Sequence, residues 1–184
     1  MRSGPLERIV LAALLCSALL APGATAAAAA SEPTPSSATP SVLVTASASK
    51  NKVTSKKAKH KAIEKEILRL VNKHRERKGL DRLARSSKIT KVARSWSVKQ
   101  AKKGRLAHNP SYARQIPAGW TRASENVART TARGSAKKLA KRMVKLWMGS
   151  AGHRANILGP YTRRGVGVAY SARHGWYFTQ NFSD

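Results

Sequence analysis

The stretch GVGVAYSARHGWYFTQNF, residues 165–182, decides the fold of this chain. In its first half, apolar side chains alternate with small ones: Val166, Val168 and Tyr170 with Gly165, Gly167 and Ala169. This alternation predicts a strand with one face of minimal side chains, against which another element, most plausibly a helix, packs closely. Residues 171–175 are rich in turn formers, and the aromatic residues of 176–182 alternate again. The chain should therefore end in an antiparallel hairpin.

Upstream of the hairpin, apolar residues recur at helical spacing. The apolar stripes at this spacing are Ile63, Ile67, Leu70 and Val71, then Ile89, Val92, Ala93 and Trp96, then Leu139, Met143, Leu146 and Trp147. The first helix should end at Gly79, the second should begin at Ser86 or Ser87 and end at Gly104, and a later one should begin at Ser135. Further short helices are predicted near Ser124 and over 153–158. Helices followed by a terminal hairpin predict an α+β domain over residues 62–184.

The N-terminal third of the chain has a different composition. Residues 1–26 begin with Arg2 and Arg8, continue with an apolar run over 9–20, and end in Ala-Thr-Ala, which is typical of a secretory signal peptide. Residues 27–61 are rich in Ala, Ser and Pro and then in Lys, and we predict a flexible linker there. The single cysteine, Cys16, lies in the apolar run, so disulfides and cysteine-ligated metals are not expected in the mature protein.

The chain is strongly basic, with 36 Lys and Arg against 8 Asp and Glu and a formal net charge of +28. Such a charge favours anionic partners: envelope polymers, acidic lipid headgroups or nucleic acid. For the lysine-rich part of the linker, a purely solvated spacer is the alternative interpretation. No element of the sequence predicts sequence-specific recognition of nucleic acid.

The few acidic residues and histidines are the candidates for chemistry. Glu125 is the one acid between Asp81 and Asp184, and it follows Ser124, so it either caps a helix or has a functional role. His108 and His153 each follow a predicted helix. Two imidazoles and a carboxylate are a plausible ligand set for Zn²⁺. A structural hydrogen-bonding role is the alternative for each histidine.

Other catalytic arrangements are poorly supported by the sequence. The predicted domain contains no thiol nucleophile, no G-x-S-x-G elbow and no phosphate-binding glycine loop. Ser150 lies close to His153, but no acid is evident to orient that histidine as a serine hydrolase requires.

A set of motifs in order along residues 63–182 resembles the CAP superfamily, the SCP-like extracellular proteins related to cysteine-rich secretory proteins, antigen 5 and class 1 plant pathogenesis-related proteins. The motifs are Val71-Asn72-Lys73-His74-Arg75, His108-Asn109, Glu125-Asn126-Val127-Ala128, residues 147–158, Gly165-Val166-Gly167-Val168 and Thr179-Gln180-Asn181-Phe182. The absence of cysteines from this region resembles the bacterial, disulfide-free branch.

The resemblance implies a three-layer α-β-α sandwich with a shallow cavity that can bind a divalent cation such as zinc. His108, His153 and Glu125 match the cavity residues of the family and are the implied metal ligands. Ser150 stands where eukaryotic members have a second acid, so at most three protein groups would hold a metal. Asn126 and Asn156 are expected beside the cavity, where they tie loops to the backbone.

Three functions follow as hypotheses. The leading one is a secreted or wall-associated monomeric protein that binds a ligand, such as a small apolar molecule, in the His108/Glu125/His153 cavity, and adheres to an anionic envelope polymer or acidic lipid. The second is a metal-assisted hydrolase with Glu125 or a bound water as base. The third is an electrostatic binder of nucleic acid or membrane. The fold alone does not choose among them.

Overall fold

The computed structural model describes residues 42–184, with side chains from residue 56 onward. The predicted signal peptide, residues 1–26, and residues 27–41 of the predicted linker lie outside these described residues. In chain order the elements are α1 (Val42–Glu76), β1 (Ala84–Arg85), α2 (Ser87–Lys103), α3 (Tyr112–Gln115), β2 (Ala123–Thr130), α4 (Ala136–Gly149), α5 (Ala151–Leu158), β3 (Arg163–Ser171) and β4 (Gly175–Ser183).

The strands form one four-stranded sheet in the order β1-β3-β4-β2. The predicted hairpin is confirmed: β3 and β4 are antiparallel, with Ser171 opposite Gly175 at the turn. Strand β2 pairs antiparallel with the other side of β4, and the two-residue β1 pairs parallel with the start of β3. Strand β4 is therefore central, and every residue from Gly175 to Ser183 is buried.

The glycine face of β3 lies against α2, as predicted. A Cβ atom added to Gly165 would lie 2.2 Å from the backbone nitrogen of Thr90, and one added to Gly167 would lie 2.2 Å from the carbonyl carbon of Ala93. Helix α2 begins at the predicted cap, where the hydroxyl of Ser86 accepts a hydrogen bond from the backbone of Ile89. The absence of side chains on one strand thus determines how close this helix comes to the sheet.

The opposite face of the sheet carries the main core. Residues of β3 and β4 there pack against α1, α4 and α5, in a cluster that includes Ile63, Ile67, Val71, Leu139, Met143, Trp147, Ile157, Val166, Val168, Phe178 and Phe182. With α2 on one face and these helices on the other, the three-layer α-β-α sandwich is confirmed. Trp147, predicted as a core residue, is fully buried.

The prediction of a flexible linker is wrong for residues 42–61, which belong to helix α1. This segment has few apolar residues, but alanine and lysine are good helix formers even where their side chains bury little surface. The helix is also held to the sheet near its middle. The ring of His60 packs edge-on against Trp176 at 5.4 Å, and the Lys59 ammonium lies 5.3 Å from the same ring.

The predicted helix near Ser124 is also wrong, because residues 123–130 form strand β2. All eight residues of this strand are paired with β4, from Ala123 opposite Ser183 to Thr130 opposite Trp176. Ser124-Glu125 resembles a helix cap in its local sequence, but pairing with a buried central strand outweighs that local signal.

Among the residues that the structure describes, no helix has the length and apolar character needed to cross a membrane.

Candidate functional site

Glu125 lies on strand β2, and its side chain is almost completely buried. Only 2% of the residue is exposed. Its Oε1 accepts a hydrogen bond from the backbone nitrogen of Asn109 at 2.8 Å, and its Oε2 accepts one from the Asn181 side chain at 3.3 Å. Oε1 also lies 3.0 Å from Nδ1 of His108. Each oxygen of this carboxylate is therefore already engaged within the protein.

His108 is the exposed member of this pair. Its side chain is 32% exposed, against 1% for Glu125. A carboxylate oxygen is a hydrogen-bond acceptor, so Nδ1 of His108 is the donor in this contact. A carboxylate behind a histidine fixes its tautomer and ring orientation in this way.

The loop that carries His108 is anchored to α2 and through it to the sheet. The indole of Trp96 donates to the carbonyl of Ala107 at 2.8 Å, and the Gln100 side chain accepts from the backbone nitrogen of Ala107 at 3.1 Å. Gln100 also donates to the hydroxyl of Thr179 on β4 at 3.1 Å. His108 therefore stands on a loop whose position is set by buried and partly buried hydrogen bonds.

His153 completes the group of imidazoles from the other side. It lies in the first turn of α5, and its Nδ1 is 2.8 Å from the hydroxyl of Ser150 at the start of that helix. Burial, and next the electrostatic influence of the nearby His108, lower the pKa of His153 below its usual value. The two histidines are near enough to influence each other electrostatically.

The two asparagines, for which bonds from side chain to backbone are predicted, join α5 to β2 in the structure. The side chain of Asn126 donates to the carbonyl of His153 at 3.1 Å. Asn156 donates to the side chain of Asn126 at 2.8 Å and to the carbonyl of Glu125 at 3.4 Å. Both asparagines are buried. The structure thus brings all six predicted residues together, with Asn126 and Asn156 as the link between the strand and the helix.

The three-residue metal set does not fit this geometry. In the described part of the chain, no group of three His, Cys, Asp or Glu side chains is arranged to hold a metal ion. The reason is visible at Glu125, whose oxygens face His108, Asn109 and Asn181. The contacts of Glu125 are those of a group that positions His108.

A groove of about 540 Å³ lies close to this site but is lined by other residues. Its walls come from α2 and the end of α3: Lys88, Lys91, Val92, Ser95, Gln115, Ile116 and Pro117. Gln115 accepts a hydrogen bond from the Asn109 side chain at 2.9 Å, which joins the groove wall to the loop of His108. The predicted site residues are thus neighbours of this groove and do not line it.

Sequence reasoning missed the residues that support the site from α2 and β4. Gln100 and Asn181 are both buried and both bond to the site or its loop. Gln100 lies in line with Ala93 and Trp96 on helix α2. A polar residue on the buried face of a helix is the signal that could have identified it. The contact of Asn181 with Glu125 could be predicted only by pairing β2 with β4, since the two residues stand opposite each other in the register.

Comparison with known proteins identifies the family of the chain. Residues 68–182 match the cysteine-rich secretory protein family, CAP. The uncharacterized protein YkwD of Bacillus subtilis is 34% identical over 146 residues, which cover 74% of this chain and 53% of that protein. The chain therefore spans about half the length of the curated relative that it matches.

Solved structures show the same fold. An extracellular protein with an SCP domain from Bacillus anthracis superposes with a TM-score of 0.56 at 26% identity, over 67% of this chain and 41% of that one. An outer surface protein of Borrelia burgdorferi superposes with a TM-score of 0.57 at 15% identity, over 65% of this chain and 90% of that one. A cysteine-rich secretory protein of Staphylococcus aureus superposes with a TM-score of 0.53 at 20% identity, over 67% of this chain and 38% of that one. The chain belongs to the CAP family of cysteine-rich secretory proteins.

Proposed function

We propose that this protein acts outside the cell as a binding protein of the bacterial envelope. It takes a ligand at the paired imidazoles of His108 and His153 and holds to anionic envelope polymers through its basic surface. A solved structure at 26% identity is described as an extracellular protein, which supports an extracellular location. The predicted signal peptide agrees with that location.

One observation carries the ligand site: a partly exposed histidine is held from behind by a buried carboxylate. Burying Glu125 is costly unless it is fully hydrogen-bonded, and the fold supplies those bonds from a neighbouring strand and a loop. The result is an oriented His108 beside His153. Two imidazole rings held in place at one surface suit a ligand that has hydrogen-bonding groups. Such a ligand can also carry small apolar groups.

Binding is favoured over hydrolysis by the position of the acid. A general base must reach the proton it removes, within hydrogen-bond distance or through one water. Glu125 is buried and its oxygens already accept bonds from the protein. Ser150 lies next to His153, but in the described residues no carboxylate pairs with that histidine as a serine hydrolase requires.

The second part of the proposal follows from charge. Lys and Arg outnumber Asp and Glu 36 to 8, and the acids that the structure describes are mostly neutralised locally. Glu66 is paired with Arg69, Glu64 with Arg94, and Glu76 with Arg82. The remaining cations give the domain a positive field that concentrates polyanions near its surface.

The test is binding of the full chain to purified bacterial cell walls across a salt series. Walls with their phosphate polymers intact and walls stripped of them are compared. We expect most binding to require the polymers and to fall steeply with salt. A fraction should persist on stripped walls at high salt and disappear in a His108→Ala/His153→Ala variant.

A His74→Ala/His174→Ala variant is the matched control, because neither of these histidines contacts the site. If the residual binding is identical in both double variants, the histidine site is not where the ligand binds. If intact walls are not bound even at low salt, the envelope role is wrong.

A further inference from the structure

The outer face of helix α4 carries positive charge only. Its exposed basic residues are Lys137, Lys138, Lys141, Arg142 and Lys145. The sequence after Glu125 contains no acid until Asp184, so α4 itself contains none. Every other long helix of the described chain either carries an acid or, as α2 does through Arg94, pairs with one.

Most of these cations have no partner in the fold. Lys137 lies within electrostatic reach of Glu66, whose hydrogen bonds go to Arg69. Within residues 56–184, the part with described side chains, Lys138, Lys141, Arg142 and Lys145 form no ion pair. Glu125, the nearest acid in sequence, is buried in the site.

This arrangement is unfavourable for the helix itself. Like charges four residues apart repel each other, and α4 has three such pairs along its exposed face. Its first turn has no acid to offset the positive end of the helix dipole, and Lys138 is placed in that turn. The fold therefore keeps a row of uncompensated cations that does not serve its own stability.

The spacing of the α4 cations indicates which type of anionic partner can bind them. Residues four apart on a helix are separated by about 6 Å along its axis, so Lys137, Lys141 and Lys145 form a line of about 12 Å. A linear polymer with a phosphodiester group at a similar interval can place one negative charge opposite each cation. Lys138 and Arg142 form a second row beside the first.

Other anionic partners fit this face less well. Single-stranded nucleic acid is commonly held by aromatic side chains on which bases stack. A bilayer requires a broad apolar face. The large hydrophobic side chains exposed on the described domain are Val98, Leu146 and Tyr170, and of these Leu146 alone lies on α4. The face therefore offers neither aromatic stacking nor an apolar insertion surface.

We infer that the outer face of α4 is the docking surface for a linear polyol-phosphate polymer of the envelope. This inference rests on the proposed function, and it locates the polymer on one helix. The polymer would lie along the axis of α4 and be held by charge-assisted contacts to phosphate oxygens. The histidine site, which none of these α4 cations contacts, is left free for its own ligand.

The test uses the full chain and synthetic poly(glycerol phosphate). A Lys138→Gln/Lys141→Gln/Lys145→Gln variant is compared with a Lys78→Gln/Lys102→Gln/Lys103→Gln variant, which loses the same charge at exposed lysines elsewhere. Circular dichroism confirms that both are folded, and the α4 variant should fold well because repulsion is relieved.

We expect the α4 variant to bind the polymer at least about tenfold more weakly at low salt, with the slope of log K against log salt reduced by about 2. The control variant should lose much less. Equal losses in both variants would overturn the docking surface while leaving general electrostatic adhesion intact. No binding of the polymer by the unmodified chain would instead contradict the proposed envelope function.

Two further probes test the choice of polymer. Single-stranded oligonucleotide and vesicles containing an acidic phospholipid are titrated with the same proteins. Weaker binding of both than of the polymer supports the inference. If either is bound more tightly, and that binding is lost in the α4 variant, the surface serves nucleic acid or membrane and the inference is wrong.

Discussion

At the scale of single residues, Glu125 is the group on which the candidate site depends. Its carboxylate faces three donors, at His108, Asn109 and Asn181. A Glu125→Gln substitution keeps the shape but replaces one acceptor oxygen by a donor, which leaves buried donors unmatched. We expect a loss of unfolding free energy of about 1–3 kcal/mol, measured by urea denaturation.

Glu66→Gln is the matched control for this prediction. It removes the same charge from an exposed pair with Arg69, where the expected loss is at most about 0.5 kcal/mol. Similar losses in the two variants would mean that Glu125 does not act as a buried hydrogen-bonded anchor.

The same substitution, arginine to methionine, should have opposite effects on stability at two buried arginines. Arg75 donates to the carbonyls of Asp81 at 2.7 Å, Ile157 at 2.9 Å and Gly159 at 2.7 Å. Arg164 is 1% exposed, donates to the carbonyl of Leu68, and its Nε and Nη1 have no partner among the described residues. Burial, and next the charge of Arg75, lower the pKa of Arg164 to about 9.

We therefore expect Arg75→Met to cost about 3 kcal/mol of unfolding free energy, at roughly 1 kcal/mol for each carbonyl that loses its donor. Arg164→Met should leave stability unchanged or raise it, because a poorly compensated buried charge is replaced by an apolar side chain of similar length. Urea denaturation of both variants checks the contrast. A larger loss for Arg164→Met than for Arg75→Met would contradict it.

At this scale the sequence predicted which residues lie together better than it predicted their contacts. His108, Glu125 and His153 were found as the scarce titratable groups of a basic chain, and the structure brings them together. Their roles were not predictable, because the donors that occupy Glu125 come from a loop and from the opposite strand. Spacing along the chain contains no information about which atoms of a carboxylate remain free.

At the scale of elements, the contact between α2 and the glycines of β3 determines the sandwich. A methyl group on Gly167 would lie 2.2 Å from the backbone of Ala93 and Arg94, where no flexible side chain can move aside. We expect Gly167→Ala to cost more than about 2 kcal/mol, since the helix must shift away from the sheet. Thermal or urea unfolding measures the loss.

Gly149→Ala provides the comparison, because an added methyl there meets nothing within 4 Å. Alanine also has the better helix propensity, so this variant should be unchanged or slightly more stable. If both alanine variants are equally stable, the close approach of α2 is not what Gly167 permits.

Elements with a strong local pattern were predictable, and those fixed by distant pairing were not. The alternation over residues 165–182 predicted the hairpin. Ser86 and Ser135 cap the helices that the sequence predicts after them. Strand β2 was mistaken for a helix because its pairing with β4 is invisible in its own residues. The extension of α1 to Val42 was missed because helix propensity can act without burial.

At the scale of the whole molecule, three histidines make stability depend on pH. Burial is the main cause that lowers the pKa of His60, His74 and His153 below 6.5. The unfolded chain then binds protons more readily than the folded one. Stability should be full above pH 6.5 and should fall as the pH drops from 6.5 toward the lowered folded values.

The measurement is the urea midpoint at pH 7 and at about pH 5.5, in the range where histidine titrates. A His60→Gln/His153→Gln variant should lose less stability between the two values than the unmodified chain. An equal or larger loss in that variant would show that other groups cause the pH dependence.

The central claim is that His108 and His153 bind a ligand of the envelope, and ring-nitrogen NMR of the full chain tests it most directly. Soluble cell-wall fragments are titrated at high salt, which suppresses polymer binding. We expect saturable shifts of the His108 and His153 ring signals, with the signals of His74 and His174 unmoved. Shifts spread equally over all histidines, or none at saturating fragment, would contradict the claim.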